Sequence, residues 1–181
     1  MAPVLIYFFG FRDMAFFKVP SSSMEPTLAP EDYLVTLNQD TYERGDIVVL
    51  RDPTQPGERA YLVKRIVGLP GDEIAVEFGK LLINGKYASE PYTKEPMEWT
   101  LEPLRVPEGG VLVLGDNRNE SLDGGDWELE PPDRDMTDEE RAAWRRAVPM
   151  DSIIGRVRYR YRPWSRRGVI PSFPLTNTAG E

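Results

Sequence analysis

The chain of 181 residues contains no histidine and no cysteine. The first absence removes every imidazole-based mechanism, so a serine nucleophile here needs some other base. The second excludes disulfides, thiolate nucleophiles and thiolate metal sites, but it does not fix the compartment. Long apolar runs are also scarce. The strongest, Met1–Phe11, falls short of the roughly 20 residues that a membrane helix needs. It fits a cleaved signal peptide poorly, because it has no basic start and Arg12-Asp13 follows where small residues belong. It reads as a buried first strand, as the remnant of a membrane helix or as an interfacial anchor. A second apolar run, Met14–Val19, follows directly.

Basic charge is in deficit. Lys and Arg number 22 against 30 Asp and Glu, for a net charge of −8. Global attraction to nucleic acid is therefore not expected. The charge is uneven. Residues 116–140 are strongly acidic, whereas residues 153–170 carry six arginines and no acid. Either these are two solvated surfaces of opposite sign, or the arginine segment lies against anionic lipid headgroups.

What is present is a globular composition, 40% apolar and 29% charged. The length suits one domain. Seventeen prolines and 15 glycines cut the chain into short pieces, which favours strands and turns over long helices. Strands are expected at 33–37, 47–51, 61–67, 73–77, 80–83 and 111–114. Asn84-Gly85 is a strong hairpin turn signal. Residues 87–108 read as loop with short extended pieces. From 156 to 162, Val157, Tyr159 and Tyr161 alternate with arginines, which suggests a half-buried strand with one cationic face. One segment, 137–148, reads as helix. Thr137 and Glu140 have the spacing of a capping box, and Pro149 should stop the helix. The expected fold is mostly β, a coiled or barrel-like antiparallel sheet with one inserted helix. The expected organisation is an apolar stub at 1–13, a catalytic domain at 14–170 and a tail at 171–181. Within the domain, residues 73–110 could form a small β subdomain and 127–147 an acidic insert.

Three polar stretches could carry chemistry. Ser21, Ser22 and Ser23 lie between Pro20 and Pro26, so their backbone cannot be regular helix. Composition alone makes them loop; a catalytic role needs a base to hold the hydroxyl proton. Lys64 is the candidate. In a strand it shares a face with Leu62 and Ile66, and burial there favours the neutral amine. A drop of about three pKa units costs about 4 kcal/mol. The bland alternative is a lysine snorkelling past an apolar stripe to water. Arg65 would point to the opposite face, so one of the two cations should be inward. Gly115–Asp123 follows an apolar strand and could assemble a site or simply form an Asx-rich turn. A calcium loop is a poor fit, since Arg118 occupies the third position and the required glycine is missing.

Together, Pro20-Ser-Ser-Ser-Met-Glu-Pro-Thr-Leu28, Arg44-Gly-Asp-Ile-Val-Val49, Lys64-Arg-Ile-Val-Gly-Leu-Pro-Gly-Asp72, Gly115-Asp-Asn-Arg-Asn-Glu-Ser-Leu-Asp123 and Ile153-Ile-Gly155 resemble, in order, the motifs of bacterial type I signal peptidases. These are membrane-associated serine/lysine endopeptidases that act on exported preproteins. The resemblance implies Ser23 as nucleophile and Lys64 as general base. It implies Ser21 as an oxyanion donor beside the Ser23 amide, Ser121 as the residue orienting the lysine, and Asp123 behind it. It implies Met24 next to substrate, with Val19, Pro20, Leu28 and Val63 lining small apolar pockets for an Ala-x-Ala site. No cofactor or metal is implied. Partners would be signal-peptide-bearing preproteins and the bilayer surface, with the catalytic domain on the extracytoplasmic face of a bacterial membrane. The resemblance also implies one or more N-terminal membrane helices.

The chain departs from the pattern in places. Gly124-Gly125 stands where the family usually has Ser-Arg, whose arginine pairs with acids near the site. That pair is either missing or made by another arginine, with Arg118 nearest in sequence. Leu62 stands where tyrosine is common, and Asn119-Glu120 replaces the commoner Asp-Asn. Two other readings remain: a self-cleaving serine/lysine protein on the same scaffold, and a non-catalytic peptide-binding module. The first normally has a DNA-binding N-terminal domain. Retention of both Ser23 and Lys64 argues against the second.

Overall fold

The computed structural model describes residues 13–55, 60–171 and 173–175. The apolar stretch Met1–Phe11 lies outside them. Strand β1 (Met14–Lys18) pairs with β2 (Tyr33–Leu37), and the loop joining them carries the three serines. Strands β3 (Ile47–Arg51) and β4 (Tyr61–Gly68) form an antiparallel pair in which Val48 faces Lys64. Strands β5 (Glu73–Glu77), β6 (Lys80–Ile83), β7 (Lys86–Tyr87) and β8 (Leu101–Arg105) make a separate sheet in the order β7-β6-β5-β8. Asn84 and Gly85, both at positive φ, form the two-residue turn between β6 and β7, the geometry such a dipeptide favours. Pro103 sits in β8, an edge strand of that sheet, where a missing N–H is tolerated.

Strand β9 (Gly110–Leu114) returns to the first sheet. Helix α1 (Asp138–Trp144) follows the acidic stretch. It begins with the expected capping box, Thr137 and Glu140 each accepting a hydrogen bond from the other's backbone. The helix is shorter than the expected 137–148, because Arg145–Ala147 turn back toward β10 (Val148–Pro149), which pairs with β9. Strands β11 (Ile153–Arg162) and β12 (Gly168–Val169) complete an eight-stranded sheet of order β1-β2-β11-β3-β4-β9-β10, with β12 on β11. Irregular register in β11 and between β4 and β9 bends this sheet into a half-barrel.

The apolar residues fall into three buried groups. One joins the two sheets around Val67, Ile74, Leu81 and Leu112. A second packs β1, β2 and the serine loop through Phe17, Val19, Met24, Leu28 and Leu34. The third lies under β3, β4 and β9 and includes Val48, Ile66, Val113 and Trp127. Strands β3 and β4 are therefore covered on both faces. That corrects the expectation that only one of Lys64 and Arg65 faces inward, since their exposures are 2% and 0%. The sequence shows alternation along β4, but not the second layer that closes over its other face.

The cationic face expected on β11 is also only partly solvent-facing. Arg156 pairs with Asp46, and Arg160 and Arg166 pair with Asp32. Arg158, Arg162 and Arg167 are exposed.

Candidate active site

The serine loop hangs from buried anchors. Met24 and Leu28 are fully buried, and the Leu28 amide donates to the Met24 carbonyl at 2.9 Å. With these residues drawn into the core, Ser21 stays exposed and Ser23 half-exposed. The Ser21 hydroxyl donates to Ser23 Oγ at 3.3 Å. Asn117 fixes the loop from the other side, its backbone amide donating to Ser23 O at 3.1 Å and its side chain to Ser22 O at 3.3 Å.

Lys64 comes from β4, on the face shared with Leu62 and Ile66, both of which belong to the third apolar group. Its ammonium donates to Ser121 Oγ at 2.7 Å. Ser121 in turn donates to Asp123 Oδ2. Asp123 is held by two further donors, the Gly115 amide at 2.6 Å and the Gly125 amide at 3.1 Å. Burial lowers the Lys64 pKa, opposed by the surrounding carboxylates, Asp123 foremost. Burial raises the Asp123 pKa, opposed by Lys64 and by the donors from Ser121, Gly115 and Gly125.

The serine loop and the lysine meet at Gly115. A Cβ at this position would lie 2.2 Å from Ser121 Oγ and 2.4 Å from Ser23 O, so only glycine permits both contacts. Ser121, the lysine's partner, and the backbone of Ser23 thus flank a single Cα. Among the described residues Lys64 is bonded to Ser121 and not directly to Ser23.

Of the residues expected to line pockets, Val19, Met24 and Leu28 lie in the core beneath the serine loop. Val63 packs partly buried against the same group, and Pro20 is exposed.

Sequence reasoning missed a second polar centre beside the first. Arg65 makes a two-pronged ion pair with Asp116, at 2.8 and 2.7 Å, and donates to Gly45 O at 2.7 Å. Its guanidinium lies 3.7 Å from the Tyr92 ring centroid. Thr27, at the end of the serine loop, donates to Asp116 Oδ2 at 2.6 Å. Asp116 therefore ties the serine loop to the strand that carries Lys64. The available signal was Asp116 directly after an apolar strand, together with an arginine that could not be neutralised.

Arg118 does not substitute for the arginine missing at Gly124-Gly125. It is buried with Glu90, at 2.9 Å, and donates to Gly115 O at 3.0 Å. Asp123 is satisfied instead by backbone amides and Ser121. Among the described residues no group of three or more His, Cys, Asp or Glu side chains could hold a metal ion.

A family model described as signal peptidase, peptidase S26, matches residues 1–164. The chain belongs to the signal peptidase S26 family. It is 36% identical over 160 residues to "Probable signal peptidase I-2" of Synechocystis sp., covering 84% of this chain and 65% of that protein. It is 36% identical over 157 residues to "Probable thylakoidal processing peptidase 2, chloroplastic" of Arabidopsis thaliana, covering 82% of this chain and 38% of that one. The chain thus spans less than two-thirds of the length of either relative. A crystal structure of a signal peptidase I from Enterococcus faecalis aligns with a TM-score of 0.44 and 28% identity, covering 65% of this chain and 97% of that one.

Proposed function

We propose that this protein is a serine endopeptidase that removes N-terminal signal peptides from exported preproteins, with Ser23 as nucleophile and Lys64 as base. The observation that carries the reading is a buried lysine with a lowered pKa, held by Ser121 and Asp123 beside an exposed serine loop. In a chain without histidine, that amine is the base the serine needs.

The chemistry follows in four steps. Neutral Lys64 takes the Ser23 proton as Oγ attacks the scissile carbonyl. The oxyanion is met by the Ser23 amide and the Ser21 hydroxyl, which is already directed at the Ser23 side chain. The Lys64 ammonium then gives its proton to the leaving amine, and the acyl-enzyme forms. Water, deprotonated by Lys64, releases the signal peptide. Ser121 and Asp123 keep the amine oriented throughout.

Substrate would lie extended along the strand carrying Val63 and along the Val19–Ser23 segment, pairing backbone to backbone. The buried floor of Val19, Met24 and Leu28 limits pocket depth, which suits the small side chains of an Ala-x-Ala site. The membrane-facing region of this reading is the end of β11 and β12. There Trp164 and Val169 are 71% and 77% exposed, beside exposed Arg158, Arg162 and Arg167. The active face would then be extracytoplasmic. Among the described residues no helix is long and apolar enough to cross a membrane.

The test is a purified preprotein bearing an Ala-x-Ala site. Wild type should cleave it once, after the second alanine, and Ser23→Ala and Lys64→Ala should both abolish cleavage. Binding without cleavage by wild type would instead mark a peptide-binding module. Cleavage by Lys64→Ala at the wild-type rate would end the dyad. Vesicles test the membrane face: wild type should bind anionic vesicles more tightly than neutral ones, and Trp164→Ala should weaken both.

A further inference from the structure

The insert between Trp127 and Ala147 returns to the site at Arg146. Its two ends close on each other, the Leu129 amide donating to Arg145 O at 2.8 Å. Just past α1, the Arg146 guanidinium donates to the carbonyls of Gly125 and, at 3.5 Å, Gly124. Its backbone packs on the same turn. A Cβ on Gly124 would meet Arg146 O and Val113 O at 3.0 Å and Leu112 Cδ1 at 2.8 Å.

Two consecutive glycines have the greatest backbone freedom available to a chain. Yet the Gly125 N–H must stay aimed at Asp123 Oδ1, 3.1 Å away. The Gly124 carbonyl and the Gly125 N–H belong to one rigid peptide plane. The same guanidinium nitrogen holds the Gly125 carbonyl closely and reaches the Gly124 carbonyl at 3.5 Å, so it restrains the peptide planes on both sides of Gly125 and with them the direction of its N–H. Charge-assisted donation from a guanidinium suits the task. The order of contacts runs Arg146, Gly124-Gly125, Asp123, Ser121, Lys64.

We propose that Arg146, supplied by the insert, is a positioning residue for the Lys64 base, acting through the Gly124-Gly125 turn on Asp123 and Ser121. It grips the backbone carbonyls of the glycine pair with one terminal nitrogen, while its other terminal nitrogen lies 3.9 Å from the exposed Glu128 carboxylate. The insert is then a brace on the active site. This rests on the Ser23/Lys64 reading above, so wild-type cleavage and its loss in Lys64→Ala are established first; failure there refutes the dyad, not the brace.

The experiment compares Arg146→Ala, Arg146→Lys and Arg145→Ala in steady-state cleavage of the same preprotein across pH. Arg145 is the control: it neighbours Arg146 and its side chain also reaches Glu128, at 3.0 Å. Arg146→Ala should lower kcat about ten-fold, as expected of a small misplacement of a catalytic group, with KM unchanged. Its pH–rate midpoint should also rise, since a loosened turn admits water and relieves the burial that lowers the Lys64 pKa, the largest influence on an amine also faced by Asp123, Asp52, Asp116 and Asp126. Arg146→Lys, with one donor group in place of a fork, should recover part of the loss. Arg145→Ala should match wild type. Folding is checked by circular dichroism. If Arg146→Ala does not fold, Arg146→Lys decides, by a lowered kcat and raised midpoint in a folded protein. Wild-type kcat and midpoint in the folded Arg146 variant, a loss confined to KM, or an equal loss in Arg145→Ala would each overturn the proposal.

Discussion

Lys64 and Ser121, 57 positions apart in the chain, meet in a 2.7 Å hydrogen bond inside the protein. The ammonium of Lys64 is 2% exposed as a residue and has this hydroxyl as its neutral partner. Ser121 is a poor candidate for the base, because its hydroxyl donates its hydrogen bond to Asp123 and accepts one from Lys64. In the proposed mechanism its role is to set where the lysine nitrogen sits. Ser121→Ala should therefore lower kcat by roughly 10- to 100-fold, the scale for misplacing a general base, and leave KM near wild type. Steady-state kinetics on a fluorogenic signal-peptide substrate checks this.

The pH dependence follows from the lowered pKa of Lys64. In the proposed mechanism the reactive form is the free amine, so kcat should rise with pH, and its midpoint should lie below the ordinary 10.5 of lysine. Asp123 is the strongest of the charges that oppose this lowering. Asp123→Asn should move the midpoint further down, provided the variant retains activity. Stability carries the same signature with a fixed sign. Between the folded pKa of Lys64 and 10.5 the unfolded chain holds more protons than the folded one, so this group makes stability rise with pH through that window. Below the window its contribution is flat. Urea titrations of wild type and Lys64→Met across alkaline pH should show the rise in the first and a weaker rise in the second.

The strands were legible because alternation and turn chemistry are local. Strands β2, β3, β5 and β6 run over the residues that the pattern indicates, and β4 extends one residue further. The Thr137 cap was legible for the same reason. Strand β8 was not, since Glu102, Pro103 and Arg105 are weak strand formers and the segment is held by pairing with β5. The partnering of β11 between β2 and β3 is equally non-local. In the candidate site, the apolar surroundings of Lys64 could be read from Leu62 and Ile66. The burial of Arg65 could not, because it depends on Tyr92 and Phe173 arriving over the other face of β4. Nor could the contact of Arg146 with the glycine pair, which the insert makes by folding back.

Arg65 and Asp116 form a pair whose side chains are both fully buried. Their attraction is offset by the cost of taking both from water, so the intact pair adds little net stability. Removing one partner is another matter. Arg65→Met leaves the Asp116 carboxylate buried with Thr27 as its remaining side-chain donor, and should cost about 3–5 kcal/mol. Asp116→Leu should cost a similar amount by stranding the guanidinium. The double variant should lose less than the sum of the two, because neither charge is left alone. Equilibrium denaturation of the four proteins measures this coupling. Additive losses would show that Asp116 does not tie the two elements together.

Gly115 makes the sharpest prediction about the site itself. A single added methyl at this position lies inside contact distance of two groups at once, 2.2 Å from Ser121 Oγ and 2.4 Å from Ser23 O. Neither can yield alone: Ser121 is held between Lys64 and Asp123, and the Ser23 carbonyl is held by the Asn117 amide. The methyl must therefore push the serine loop away from the lysine's partner. Gly115→Ala should reduce kcat roughly 100-fold, while overpacking should cost stability about 1–3 kcal/mol. The two effects separate in practice. A folded Gly115→Ala protein at low temperature that cleaves at the wild-type rate would mean that the spacing of Ser23 from Ser121 does not set the geometry of catalysis.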